Sequence, residues 1–177
     1  IMHPFLNIAN RAARSAGKVI INALERVDLV RITEKQQNDF VTDIDQTAEQ
    51  IIIDAIRKTY PNHAILAEES GAIEGDVVTW IIDPLDGTKN FIHGFPHLAI
   101  SIAVKSKDYL EHALIYDPVR QETFTASRGE GAQLNNRRIR VSSRTSMQGA
   151  LLGTGFPFRQ QQNLDAYLKT LEILMKQ

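Results

Sequence analysis

Three short apolar-rich runs, at residues 97–105, 110–116 and 122–126, follow one another with links of only a few residues. Lys107-Asp108 joins the first pair, and Asp117-Pro118-Val119-Arg120 joins the second. Links that short and turn-like reverse the chain, because a parallel crossover needs a dozen residues or more. The stretch therefore predicts an antiparallel meander. Two further strands are expected, at 64–67 leading into Glu68-Glu69-Ser70 and at 77–82 leading into Asp83-Pro84. Gly129 and Gly131 mark another turn, with short edge strands expected at 132–134 and 138–141.

Two amphipathic helices precede this sheet. Residues 4–25 begin with Pro4, suited to a first helical position, and repeat Ile8, Ala12, Ala16, Val19, Ile20, Ala23 and Leu24 near helical spacing. Residues 43–59 carry Ile44, Ala48, Ile51, Ile52, Ala55 and Ile56 on one face, and Tyr60-Pro61-Asn62 ends them. The polar stretch 27–40 reads as a loop. Residues 1–145 thus form an α+β domain, two helices on an antiparallel sheet. The remainder, 146–177, is of another kind. A strand is expected at 150–154 and a helix at 163–175, with Leu164, Tyr167, Leu168, Leu171, Leu174 and Met175 apolar. A lone strand and helix have no second layer to cover that face, so this part reads as the start of a truncated second α/β domain.

Composition narrows the function. Twenty basic against twenty-one acidic residues give a net charge of −1, which argues against direct nucleic-acid binding. There are no cysteines, so disulfides and thiolate metal sites are both excluded. Arg11, Arg14 and Lys18 interrupt any secretory h-region, and the apolar stretch 98–104 is too short to cross a bilayer. A cytoplasmic protein with no membrane association is expected. Ile1 ahead of Met2 reads as a start-site artefact.

The chemistry lies in Asp43-Ile44-Asp45, Glu68-Glu69-Ser70, Asp83-Pro84-Leu85-Asp86-Gly87-Thr88 and the following segment 91–96. Carboxylates gathered at strand ends repel one another unless a hard cation neutralises them. Oxygen ligands without cysteine or a histidine pair suit Mg²⁺, or Mn²⁺, rather than zinc. Pro84 fixes φ, so Asp83 and Asp86 are expected to point to one side with the Leu85 carbonyl between them. Gly87 allows a close backbone approach, and Thr88 opens a short helix whose free N–H groups suit an anion. A cation site beside an anion site is what phosphoryl transfer needs. Each piece also has a plainer reading. Asp86-Gly87 alone is a turn, Thr42 to Asp45 is a capping box, and Glu68-Glu69 alone is a solvated strand end. His93 and His97 are separated by Gly94 and Pro96 and are not expected to share a metal.

These residues resemble the inositol monophosphatase family, in its bacterial cytoplasmic branch. Trp80-Ile81-Ile82-Asp83-Pro84-Leu85-Asp86-Gly87-Thr88 is similar to the family's principal signature. Ala67-Glu68-Glu69-Ser70 matches independently, with Glu68 fifteen residues before Asp83. The likeness runs from the first helix to Gly155-Phe156-Pro157-Phe158. It implies a sugar-phosphatase-like layered αβαβα architecture with Mg²⁺, or Mn²⁺, as cofactor. By the same resemblance Glu68, Asp83 and the Leu85 carbonyl hold one ion, and Asp83 and Asp86 a second. Gly87 and Thr88 offer backbone and hydroxyl groups to the phosphate. Thr88 and Asp45 position and deprotonate the attacking water. Glu68 counts among the catalytic groups, while Glu68, Leu85, Asp86, Gly87 and Thr88 face the substrate. Lys35 falls near a mobile-loop lysine of the family. Two departures stand out: Lys89 replaces a second threonine, and the family's later tryptophan–aspartate motif has no counterpart before Gln177. Without that aspartate this chain is expected to be deficient in catalysis. The implied reaction is hydrolysis of a small polyol phosphate, myo-inositol monophosphate first, by a homodimer. Two alternatives are carried: a sugar bisphosphate or 3′-phosphonucleotide phosphatase, and a protein-binding role in transcription antitermination complexes.

Overall fold

The structure is a computed structural model. It describes residues 2–36, 39–156 and 163–176 and, of these, the side chains of all but 34–36 and 39–41. Helix α1 spans Pro4–Leu24 and α2 spans Asp43–Thr59. Both start as the sequence predicts. Pro4 stands in the first turn of α1, where His3 accepts the Phe5 N–H, and Thr42 and Asp45 close a capping box on α2.

The strands are β1 (Ile32–Gln36), β2 (Asp39–Thr42), β3 (Ala64–Ala67), β4 (Gly71–Ile73), β5 (Val78–Asp86), β6 (Ala99–Ser106), β7 (Tyr109–Asp117), β8 (Glu122–Ser127), β9 (Gly131–Leu134) and β10 (Arg137–Ile139). A short helix, α3 (Thr88–Ile92), follows β5. Eight strands form one sheet in the order β10-β9-β8-β7-β6-β5-β3-β4. The meander β6-β7-β8 is as expected. The sheet is not wholly antiparallel, however, because β3 runs parallel to β5, with Ala64 opposite Thr79 and Ala67 opposite Ile82. The intervening hairpin strand β4 lies on the far side of β3 and carries the chain back to the starting end. The segment expected as a loop over 27–40 instead holds a 3₁₀ turn at Val27–Leu29 and the antiparallel hairpin β1-β2. The polar sequence of this stretch carries no strand periodicity, which is why it reads as a loop.

The two helices cover one face of the sheet. Ala12, Ala16 and Ile20 of α1 and Ala48, Ile52 and Ile56 of α2 meet Trp80, Ile82, Ile100, Ile102, Val104 and Leu114, all buried. At Gly17 the fit is closest: a Cβ there would meet Tyr116 Cε1 at 2.8 Å and Pro118 Cβ at 3.0 Å. Alanine ordinarily stabilises a helix interior by about 1 kcal/mol over glycine. Overpacking outweighs that here, and Gly17→Ala is expected to lower unfolding free energy by about 1–2 kcal/mol in urea titration. A gain in stability would show that Tyr116 can move aside without cost.

Residues up to Ile139 cluster into one unit and those from Arg140 onward into another. The second unit holds α4 (Leu164–Met175) and a Thr154 Oγ1 to Tyr167 hydroxyl hydrogen bond of 3.1 Å. The strand expected at 150–154 does not form. Among the described residues no strand pairs with it to satisfy its backbone, and Leu151 is 99% exposed. Among the described residues, no helix is long and apolar enough to cross a membrane.

Candidate functional site

The parallel pairing of β3 and β5 makes the site. Ala67, the last residue of β3, is opposite Ile82 in the middle of β5, and the Glu68 N–H donates to the Ile82 carbonyl at 3.1 Å. The residue after each of these is an acid, so Glu68, just past the end of β3, stands beside Asp83, which is still paired with Ser101 of β6. Open α/β sheets commonly gather ligands at such strand ends. Burial, then the charge and hydrogen bonding of Glu68, then the charge of Asp86 push the Asp83 carboxyl up to about 7. The Leu85 N–H, donating to Asp83 Oδ1 at 3.1 Å, opposes this.

Asp86 reaches the same side by a device that the sequence reading missed. Residues three apart on a regular strand point to opposite faces. Here Asp83 is opposite Ser101 and Asp86 opposite Ala99, so two residues of β5 stand against one of β6. That bulge restores the phase and puts both aspartates on one face. Pro84, which has no N–H to give a ladder, sits inside it, and Leu85 is buried there. The proline is thus part of a strand bulge rather than of the turn expected.

Helix α2 supplies the other wall. Asp45 and Glu49 are one turn apart, each 2% exposed, on the face that otherwise carries Ala48, Ile52 and Ile56. Asp45 Oδ2 accepts the Thr42 N–H at 2.8 Å and the Thr42 hydroxyl, while Oδ1 accepts the Thr88 hydroxyl at 3.0 Å. The capping box thus leaves Asp45 Oδ1 free to meet Thr88, so the two readings of Asp45 are compatible. Thr88 Oγ1 also lies 3.1 Å from the Leu85 carbonyl, and its single proton is shared between the two acceptors. Glu49 is a residue that motif reading did not single out. Its carboxylate accepts the N–H groups of Glu69 at 2.8 Å and Ser70 at 2.9 Å, clamping the turn that follows Glu68. The available signal was an acid in the apolar stripe of α2, since a buried charge requires partners.

Gly87 has φ of +100°, and a Cβ there would stand 2.9 Å from the His97 carbonyl. Asn90 Nδ2 donates to that same carbonyl at 2.7 Å, folding the 93–97 loop against α3, which buried Phe91 anchors. His93 and His97 are both exposed. The side chain of Lys35 lies outside the described residues.

Whether these residues suit a divalent ion can be judged from their donors. All are oxygens: Glu68, Asp83 and Asp86 carboxylates and the Leu85 carbonyl. An aspartate pushed to about 7 beside a second acid is a repulsion that a hard cation would relieve. The donors fit in kind. In spacing they are looser than a bound ion demands, since among the described residues no three His, Cys, Asp or Glu groups stand close enough to hold a metal as placed.

Known proteins resemble the chain in sequence and in fold. The model of the inositol monophosphatase family matches residues 1–176. A protein named Nus factor SuhB from Pseudomonas aeruginosa is 59% identical over 182 residues, covering 99% of this chain and 67% of that protein. Its namesake from Vibrio cholerae is 54% identical, covering 98% and 66%. The chain thus spans about two thirds of the length of these relatives. Among solved structures, the extragenic suppressor protein suhB from Bartonella henselae superposes with a TM-score of 0.93 at 36% identity, covering 99% of this chain and 68% of that one. An IMPase from Thermotoga maritima gives 0.73 at 38% identity, covering 80% and 55%. On this match of sequence and fold, the chain belongs to the inositol monophosphatase family.

Proposed function

We propose that this chain carries the cation- and phosphate-handling part of a Mg²⁺-dependent hydrolase of small phosphomonoesters, with myo-inositol monophosphate as the leading substrate. One observation carries the reading: the Glu68–Asp83 acid pair, with Asp86 on its face, stands where β3 ends beside β5, and close by Asp45 and the Leu85 carbonyl both meet the Thr88 hydroxyl.

In this reading Glu68, Asp83, the Leu85 carbonyl and Asp86 hold the metal. Bound there, Mg²⁺ or Mn²⁺ supplies Lewis acidity and a lowered pKa for coordinated water. The protein's own groups orient the rest. Thr88 donates its proton to Asp45 Oδ1, which leaves its oxygen lone pairs to accept a proton from the attacking water. Asp45 can receive the Thr88 proton in turn, while Thr42 holds its other oxygen in place. Gly87, lacking a side chain, lets the backbone approach the phosphate closely. Residues 146–177 are assigned to the opening of a second α/β domain. The described residues of α4 are nowhere buried, leaving Leu168 and Ile173 in want of a covering layer.

The test is phosphate release by the full-length protein with Mg²⁺ from myo-inositol monophosphate, a sugar bisphosphate and a 3′-phosphonucleotide. The first is expected to turn over fastest. Faster release from either of the others would reassign the substrate, and no release from any would overturn the hydrolase reading. The name Nus factor borne by the relatives favours a second reading, a protein-binding role in a transcription complex. Retention of transcription factors on immobilised protein, undiminished in an Asp83→Asn variant, is its expected signature.

A further inference from the structure

The face of the sheet that α1 and α2 cover does not end where the helices do. Along β5, β6 and β7 its side chains are Trp80, Ile82, Ile102, Val104, Leu114 and Tyr116. One strand further, β8 continues the face with Thr123, Thr125 and Ser127, and β9 with Gln133, which is opposite Thr125. Apolar gives way to hydroxyl and amide. An open, wetted face would explain that change, but Thr123 is only 5% exposed and Thr125 only 7%. They are sheltered because the outer ridge of α1, Leu6, Asn10 and Arg14 at four-residue spacing, leans over them.

The result is a trough rather than a flat surface. One cavity of about 580 Å³ lies between α1 and β8-β9, and a second of about 230 Å³ shares Met2, Asn10, Thr125 and Asn136 with it. The larger falls within the range of about 300–1,000 Å³ usual for small-molecule sites. It lies on the flank of α1 away from α2, and it includes none of Asp45, Glu68, Asp83 or Thr88.

Its walls carry hydrogen-bonding groups with no internal use. The Thr125 hydroxyl makes no side-chain hydrogen bond among the described residues. No wholly buried side-chain polar atom lacks a partner, so that hydroxyl opens into the trough. The Gln133 and Asn136 amides, which also line it, have no side-chain hydrogen bond among the described residues either. By contrast Arg14 is already engaged. It donates to Asn10 Oδ1 at 3.2 Å and Thr123 Oγ1 at 3.3 Å, and lies 5.1 Å from the Tyr116 ring centre. Glu130 is the one acid in the lining. Burial, and then the neighbouring His3, hold the His112 imidazole below its ordinary value, so His112 adds no positive charge at neutral pH. His3, stacked on His112 at 3.9 Å, gives the lining an aromatic ring, and Met2 and Leu6 give it apolar surface.

Unused hydroxyl and amide groups, one carboxylate and an aromatic ring are the chemistry that binds a sugar, whose hydroxyls both donate and accept. Polar groups gain most from a ligand whose own donors and acceptors match them, and an anionic ligand would meet Glu130 with Arg14 already engaged. We propose that this trough is a binding site for a neutral saccharide, separate from the metal-and-phosphate site and independent of the hydrolytic reading.

The experiment is titration of the full-length, ¹⁵N-labelled protein with glucose, galactose, mannose, maltose and lactose, following the side-chain amide signals of Asn10, Gln133 and Asn136. At least one sugar is expected to give saturable shifts at all three. Thr125→Val, which removes the hydroxyl at nearly constant volume, is expected to weaken that binding about tenfold, and Gln133→Ala to do the same from an exposed position. Gln133→Ala keeps the test valid should Thr125→Val fail to fold. Phosphate release is expected to be unchanged in both. Absence of saturable shifts with every sugar, or shifts unmoved by Gln133→Ala, would overturn the site. Markedly tighter binding of glucose 6-phosphate than of glucose would overturn the neutral class of ligand.

Discussion

Asp83→Asn is expected to abolish Mg²⁺-dependent phosphate release and, in metal-free protein at pH 8, to raise the melting temperature. Both effects have one cause. Asp83 ionises near 7 in the folded protein against 3.8 for a free aspartate, held back first by burial and then by Glu68 and Asp86. A folded pKa above the unfolded one means that the folded state binds the proton more tightly. Stability is then fullest below about pH 4 and falls as pH rises through 7, where folding must accept the repelling charge. The gap sets an upper limit of about 4 kcal/mol. Asp83 is only half-buried, so solvent screening brings the expected loss to about 1–2 kcal/mol. Asparagine keeps the acceptor for the Leu85 N–H and can donate to Glu68, but it never ionises. The two proteins should therefore melt together near pH 4, diverge as pH rises from about 4 to 7, and stay apart above that, with the variant the more stable. Added Mg²⁺ at pH 8 should raise the wild type and leave the variant unmoved. Activity should fall at least about 100-fold, since a removed charge cannot hold the cation. Near-normal turnover would take Asp83 out of the reaction. Equal melting at pH 8 would show that the acids do not repel.

The parts of this fold legible in the sequence are those whose signal is local. Pro4 and the Ala12, Ala16, Ile20 spacing define α1, and the Thr42–Asp45 capping box places the start of α2 where it is found. Tight links define the meander. What escaped depends on partners distant in sequence. That β3 pairs with β5 in parallel, past the interposed β4, is decided by which strand buries Ile65 and Ala67 against the helices. The bulge at Pro84 and Leu85 appears only when β6 is counted against β5. Conversely, 150–154 looks like a strand by composition and is none, because a strand needs a neighbour. The site shows the same division. The residues proposed to ligate and orient sit in short local motifs, at Asp45, at Glu68 and in 83–88, and could be named, whereas Glu49 lies in an ordinary helical stripe and holds backbone twenty residues away.

That distant clamp yields the second large effect. Glu49→Gln is expected to weaken the Mg²⁺ dependence of catalysis about tenfold to 100-fold, with turnover largely recovered at saturating metal. The carboxylate, 2% exposed, accepts two N–H groups, one on each oxygen. Glutamine has a single acceptor oxygen, so its NH₂ must face one of those N–H groups. One buried donor is then unsatisfied, at a cost of about 1–3 kcal/mol. The turn it belongs to begins one residue after Glu68, so strain relieved there is transmitted directly to the first acid of the site. A general loss of stability would not have this signature. Gly17→Ala, which also destabilises but acts on α1 and β7, serves as the control, and its Mg²⁺ dependence should match the wild type. If Glu49→Gln lowers the melting temperature as far as Gly17→Ala does and leaves the metal dependence unchanged, Glu49 holds the fold and does not position the site.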